Sequence, residues 1–301
     1  MHRLGVVSFL NARPLTQGLG ERADVELILD VPAALPALLD AGRVDAALVP
    51  IIDVLRSGGR YQVVSDACIG SDGETMTVRV FSQTSPDRIT RLAVDGDSHT
   101  SVALATVLWR ELHDRQLEIE RIDARAQSLA DFDAVLLIGD KVVDPRRSGF
   151  AYEVDLGGAW KAHTGLPFVF AVWAERSHEA TEPRSHEGEG AAPAEPEAQA
   201  RVAAAPRGGR SRVVDSDLSE ILSAARDAGV VSAARIAREQ GPTLGWTEAL
   251  AERYLTRCLK FDLDARAIEG ANLFARLSAK HDLAPADPGI SWPNELMRIR
   301  L

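Results

Sequence analysis

Cysteine is almost missing: Cys68 and Cys258 are the only two. Two thiols so far apart make neither a disulfide framework nor a thiolate metal site, and they point to a reducing compartment. Basic residues are also short, 34 Lys and Arg against 44 Asp and Glu, for a net charge of -10. Phosphate neutralisation needs a basic patch and none is evident, so nucleic acid is not an expected partner. No apolar run approaches the roughly 18 residues of a membrane span. The run from Leu4 to Leu10 is too short for a secretory signal core and has no small-residue cleavage site after it, so the expected location is the cytoplasm. The seven histidines form no pair at metal-ligand spacing, and there is no His-Glu-x-x-His. A Walker loop, a Gly-x-Gly-x-x-Gly turn and a Gly-x-Ser-x-Gly elbow are all missing, which argues against a nucleotide and against a serine nucleophile. Neither a metal nor a nucleotide is expected.

What is present is a composition able to bury a real core, 46% hydrophobic and 26% charged. The first fifty residues alternate strand and helix patterns. Leu4 to Leu10, Val25 to Leu29 and Val44 to Pro50 read as strands, Pro32 to Ala41 as a helix, and Asn11 to Pro14 as the opening of another. Met76 to Phe81 alternates apolar and polar residues. A fresh alternation starts at Ile89, with strands at Leu92 to Val94, Leu117 to Ile119 and Ala134 to Ile138. Thr164 to Trp173 then carries an aromatic and β-branched run with almost no polar residue, which reads as a strand covered on both faces. The restart and return predict two α/β lobes, 1–88 plus 170–301 and 89–169, the second inserted in the first. In that arrangement Val169 to Val172 are core, and Thr164 to Phe168 are hinge and cleft wall. Residues 178–212 are polar, with Val202 the only sizeable aliphatic, and cannot repay their ordering entropy. They read as a disordered surface insertion. The helical patterns beyond them are expected to pack on the first lobe rather than carry chemistry.

Ligand sites on open α/β sheets lie at the carboxyl ends of strands, so loops there are the places to look for chemistry. Ser98, His99, Thr100 and Ser101 stand at a strand-to-helix junction, where unpaired N–H groups and the helix dipole attract an anion. The same residues also read as a plain N-cap. Ser8 and Asn11 follow the first strand. Ser71, Asp72 and Gly73 form a turn with Thr77 beyond it, and Gly139 and Asp140 end another strand, where they equally suit a helix cap.

Taken together, Ser8-Phe9-Leu10-Asn11-Ala12-Arg13-Pro14-Leu15, Gly70-Ser71-Asp72-Gly73, Ser98-x-Thr100-Ser101, Leu137-Ile138-Gly139-Asp140, Asp155-Leu156-Gly157, and Trp160 with Thr164 to Trp173 resemble the chorismate dehydratase family of the futalosine route to menaquinone. The resemblance covers residues 4–175 well and the helical tail loosely. It implies an α/β fold of two lobes, similar to type 2 periplasmic binding proteins, with the ligand cleft between them. It further implies a cofactor-independent hydro-lyase that dehydrates chorismate, a small dicarboxylate. Asn11 and Thr77 match the family's proposed catalytic groups. Ser8, Ser71, Asp72, Gly73, Ser98, His99, Thr100, Ser101, Gly139, Asp140 and Phe168 would surround the substrate. Three features depart from the family: His99 stands where an Arg is usual, Thr77 where a Ser can occur, and the tract 178–212 is foreign to it. The rival class is a non-catalytic carboxylate-binding module of the same fold, and a third reading is the sister menaquinone enzyme, whose characteristic first loop is absent.

Overall fold

The computed structural model describes residues 1–123, 127–143, 149–177 and 216–293. The tract 178–212 lies outside them. Two sheets organise the chain. The first holds β1 (His2–Val7), β2 (Val25–Asp30), β3 (Ala46–Pro50), β4 (Tyr61–Ser71), β10 (Phe168–Arg176) and β11 (Lys260–Asp262). The second holds β5 (Val78–Ser82), β6 (Arg91–Asp95), β7 (Glu118–Ile122), β8 (Ala134–Ile138) and β9 (Tyr152–Asp155).

Strand order explains how the lobes are joined. In the first sheet the order is β11-β4-β10-β3-β1-β2, with β1 parallel to β2 and β3 and β10 antiparallel to β3 and β4. In the second it is β7-β6-β8-β5-β9, with β6 parallel to β7 and β8 and β5 antiparallel to β8 and β9. Each sheet therefore holds a parallel trio that continues through one antiparallel insert. That insert, β5 or β10, is the strand that has just crossed from the other lobe. The lobe boundary expected at 88 is displaced for this reason: β5 already belongs to the second sheet, and the restart at Ile89 begins β6 within it. On the return side, Phe168 is already the first residue of β10.

Burial follows the residue types. All five residues of β3 are buried, as are Phe168 to Ala174 of β10, so both strands are covered on two faces. Edge strand β2 carries acidic residues outward, and Leu29 remains exposed. The helices α1 (Leu35–Asp40), α2 (Ile51–Arg56), α3 (His99–His113) and α4 (Leu156–Thr164) are the crossovers and caps. Asn11 to Pro14 does not open an α-helix. It lies in 3-10 turns, Leu10–Ala12 and Pro14–Thr16, the second of which is pinned by α5 (Ser216–Val231). A Cβ at Gly229 of α5 would lie 1.8 Å from the Pro14 carbonyl oxygen, so only glycine allows this approach. Beyond α5 come α6 (Ala233–Gln240), α7 (Glu248–Arg253), a π-helical turn Tyr254–Cys258, and α8 (Ala265–Lys280). No helix among the described residues is long and apolar enough to cross a membrane.

Candidate active site

A cleft with about 540 Å3 of free space, part of it open to solvent, lies where the two sheets face each other. Its walls come from the carboxyl ends of parallel strands, as the fold dictates. Phe9 and Asn11 follow β1, Pro32 follows β2, Pro50 ends β3, Ser98 follows β6, and Ile138 and Gly139 close β8. Thr75, Thr77 and Val78 line it at the outward crossing, and Phe170 and Ala171 on the return strand β10. Tyr254 and Leu259 enter from the C-terminal segment. The described lining residues include no Lys, Arg, His, Asp or Glu.

Three polar groups give this mostly apolar space its chemistry. Asn11 Oδ1 is buried with no hydrogen-bond partner, a costly arrangement unless a ligand supplies one. Thr77 Oγ1 lies 2.7 Å from the Tyr254 hydroxyl. Tyr254 is 1% exposed, and burial pushes its phenol up, keeping it protonated. At the start of α3, Ser98 Oγ accepts from Ser101 N at 3.2 Å and donates to Ser101 Oγ at 2.9 Å. The expected cap is therefore present, and both hydroxyls line the cleft at the positive end of a 15-residue helix.

The crossing loop that carries Thr75 and Thr77 is clasped by one carboxylate. Asp155 accepts from Thr75 N at 2.9 Å, Thr75 Oγ1 at 3.1 Å and Met76 N at 2.7 Å. It also caps α4 through Gly158 N at 2.9 Å. Met76 sits at φ 65, a strained value for a non-glycine residue that these bonds hold in place. On the other side, the Thr77 carbonyl accepts from Gly139 N at 2.9 Å.

Several residues expected at the ligand do other work. His99, the first residue of α3, points sideways and places Nδ1 2.8 Å from Asp53 of α2, linking the two lobes rather than facing the cleft. Thr100 is buried and donates to the Phe170 carbonyl at 3.1 Å, tying α3 to β10. Phe168 is not the cleft wall. It packs edge-on among Trp160, Phe170 and Phe274, and Phe170, two positions along β10, lines the cleft in its place. Ser8 contributes a carbonyl to Arg13 Nη2 at 3.4 Å and does not line the cleft. Gly70 and Ser71 belong to β4 rather than to a loop. Ser71 Oγ is buried without a partner and lies beside Gly157, outside the cleft lining. Asp72 pairs with Lys161 and borders a separate surface groove, and Gly73 likewise stands off the cleft. Asp140 stands behind the lining, accepting from Trp246 Nε1 at 2.8 Å and Leu10 N at 3.4 Å. Burial raises its carboxyl above the ordinary range, against the lowering pull of those two donors. The cysteines are spectators: burial pushes both thiols up, away from a reactive thiolate.

The C-terminal helices were expected to pack on the first lobe rather than carry chemistry, yet Tyr254 from this segment lines the cleft. The chain holds just three tyrosines, and that rarity was the available signal. Its partner Trp246 lies eight positions earlier and stacks on it at 4.9 Å and 6°.

Residues 2–280 match the menaquinone biosynthesis family. The chain belongs to that family. Among curated relatives, the chorismate dehydratase of Thermus thermophilus is 31% identical over 189 residues, 58% of this chain and 69% of that protein. The chorismate dehydratase of Campylobacter jejuni is 29% identical over 174 residues, covering 56% of this chain and 64% of its own length. Among solved structures, the periplasmic aliphatic sulphonate binding protein SsuA of Escherichia coli superposes with a TM-score of 0.60 at 14% identity, over 95% of this chain and 89% of that one. A Candida albicans protein described as having the generic periplasmic binding protein fold gives 0.54 at 10% identity, over 97% and 96%. At such identities these two establish the fold alone, a two-lobed periplasmic-binding-protein-like architecture with C-terminal helices added. The family thus places a biosynthetic function on a binding-protein scaffold.

Proposed function

We propose that this member of the family is a chorismate dehydratase, converting chorismate to 3-[(1-carboxyvinyl)oxy]benzoate and water. The observation that carries the reading is the pairing, inside a cleft of mostly apolar walls, of a partnerless Asn11 carboxamide oxygen with the Thr77–Tyr254 hydroxyl pair. Such a site holds and polarises a hydroxyl. The reaction asks for little else: one ring C–H and the neighbouring C–O bond break, the C–H electron pair becomes a ring π bond, and the hydroxide leaves as water. Nothing is oxidised or reduced overall, and the new aromatic ring supplies the driving force. Positioning, hydrogen bonding to the leaving oxygen and exclusion of water are what remain for the protein.

The base follows from what lines the cleft. None of the described lining residues is a carboxylate, His or Lys, so in this reading the substrate's enolpyruvyl carboxylate takes the ring proton and returns it to the departing hydroxide. The other carboxylate suits Ser98 and Ser101 at the start of α3, where neutral hydroxyls and the helix dipole replace a cation. Elimination of water with C–O cleavage makes this a hydro-lyase reaction, and no metal or organic cofactor enters the scheme. Two buried, unpaired cysteines are in keeping with a cytoplasmic site of action. Incubating the purified protein with chorismate, without metal or nucleotide, tests the reading by mass spectrometry. Loss of one water from chorismate is the expected result. Binding with chorismate left intact would instead favour a carboxylate-binding module.

A further inference from the structure

Tyr254 opens the π-helical turn, where its carbonyl accepts from Leu259 N at 3.2 Å. A π turn inserted after an α-helix re-aims the residues it carries, and such turns concentrate at functional sites. Here it sends the phenol into the cleft. The ring is fixed by its stack on Trp246, whose indole N–H is in turn held by Asp140 Oδ1. Only the direction of the hydroxyl proton is left to settle.

The donor and acceptor inventory settles it. A tyrosine hydroxyl has one proton, and so has a threonine hydroxyl. The phenol is buried, and among the described residues its side-chain hydrogen-bond neighbour is Thr77 Oγ1, 2.7 Å away. A buried hydroxyl spends its proton on the acceptor within reach, so Tyr254 donates to Thr77, while Asn11 Oδ1 stays without a partner. Thr77 is then free to donate into the cleft, and Asn11 Oδ1 to accept from it.

We propose that Tyr254 is a positioning residue for the dehydration, its hydroxyl setting Thr77 as a donor toward the leaving hydroxyl of the substrate, beside the partnerless acceptor Asn11 Oδ1. The leaving oxygen accepts from Thr77 while its own hydrogen is held by Asn11. Thr77 keeps its proton throughout, since the water is completed by the proton taken from the ring. The inference rests on the dehydratase reading and adds the orientation of its hydrogen bonds.

Tyr254→Phe removes the hydroxyl and keeps the ring on Trp246. The expected result is a kcat about tenfold lower, the scale of one lost hydrogen bond, with KM changed by no more than about twofold. Thr77→Val combined with Tyr254→Phe should lose no more turnover than Thr77→Val alone, because the two act as one unit. An unchanged kcat in Tyr254→Phe, or losses that multiply in the double variant, would overturn the proposal. Melting temperatures of the same four proteins provide a readout independent of turnover. A double variant that melts no lower than the worse single variant supports the Tyr254–Thr77 bond, and additive losses refute it. Wild-type protein that leaves chorismate intact while the melting cycle stays coupled defeats the dehydratase reading and not the bond.

Discussion

A carboxamide oxygen buried with no partner is a standing cost to the fold, and Asn11 carries one into the cleft. Asn11→Ala removes that cost together with the proposed grip on the leaving hydroxyl. Turnover is expected to fall about 100-fold or more, with a melting temperature equal to or above wild type. Near-normal kcat in this variant would move the chemistry away from position 11. Asp140 allows a test by pH. Its folded-state pKa is raised by burial, so below the ordinary carboxyl value of about 4 both folded and unfolded forms are protonated and the favourable contribution is complete. As pH rises through the folded value, ionising the buried group takes that stability away. Asp140→Asn keeps an acceptor for Trp246 and cannot ionise. It should match wild type near pH 3 and melt higher at pH 7 by roughly 2 °C or more, which thermal melts across pH would show.

Among the elements, the crossing loop between β4 and β5 is tightly constrained. Its strained Met76 and the cleft residue Thr75 are held by Asp155, which at the same time caps α4. The anchor was visible in the sequence as Asp155-Leu156-Gly157, though its partners 80 residues earlier were not. Gly157 matters equally, since a Cβ there would fall 2.5 Å from Thr75 Cγ2. Asp155→Ala is expected to cost about 2–4 kcal/mol through the lost cap and the released loop amides. It should also lower kcat, because Thr77 follows Met76 directly. Urea unfolding alongside steady-state kinetics measures both, and a variant that loses stability with full activity would uncouple the clasp from the site.

At the scale of the whole molecule, bonds join distant segments at and around the cleft. His99–Asp53, Trp246–Asp140 and Tyr254–Thr77 each join elements that belong to different parts of the chain. The two lobes are thereby latched around a space with no cation in its described lining, in a chain of net charge -10. A dicarboxylate approaching this surface is repelled at long range and held at short range by neutral groups. Raising ionic strength from about 0.01 to 0.2 M shortens the Debye length from about 30 Å to below 10 Å. It should therefore raise kcat/KM by roughly two- to threefold, as initial rates at low substrate would record. A steep fall with salt would instead reveal a cationic contact on the substrate.

Most strands were legible in the sequence because each is a local run, though β9 and β11 were not read from it. Val44 to Pro50 declares a strand, and Phe168 to Trp173 a strand buried on two faces, through their own composition. The cleft loops were legible for a related reason: parallel strands must end in them. Asn11, Thr77, Ser98, Ser101 and Gly139 all line the one cleft, as the pattern of alternation allowed one to expect. Tertiary structure alone decided which of several neighbours faces the cleft. Side chains one residue apart point in different directions, so Ser98 and Ser101 line the cleft while His99 reaches Asp53 and Thr100 reaches Phe170. The packing of β10 likewise exchanges Phe168 for Phe170. The lobe boundary, too, was set by pairing rather than by pattern, since β5 crosses before the alternation restarts. Tyr254 is the clearest case: its rarity singles it out without giving it a role, and only the packing of a distant helical segment brings its hydroxyl to Thr77.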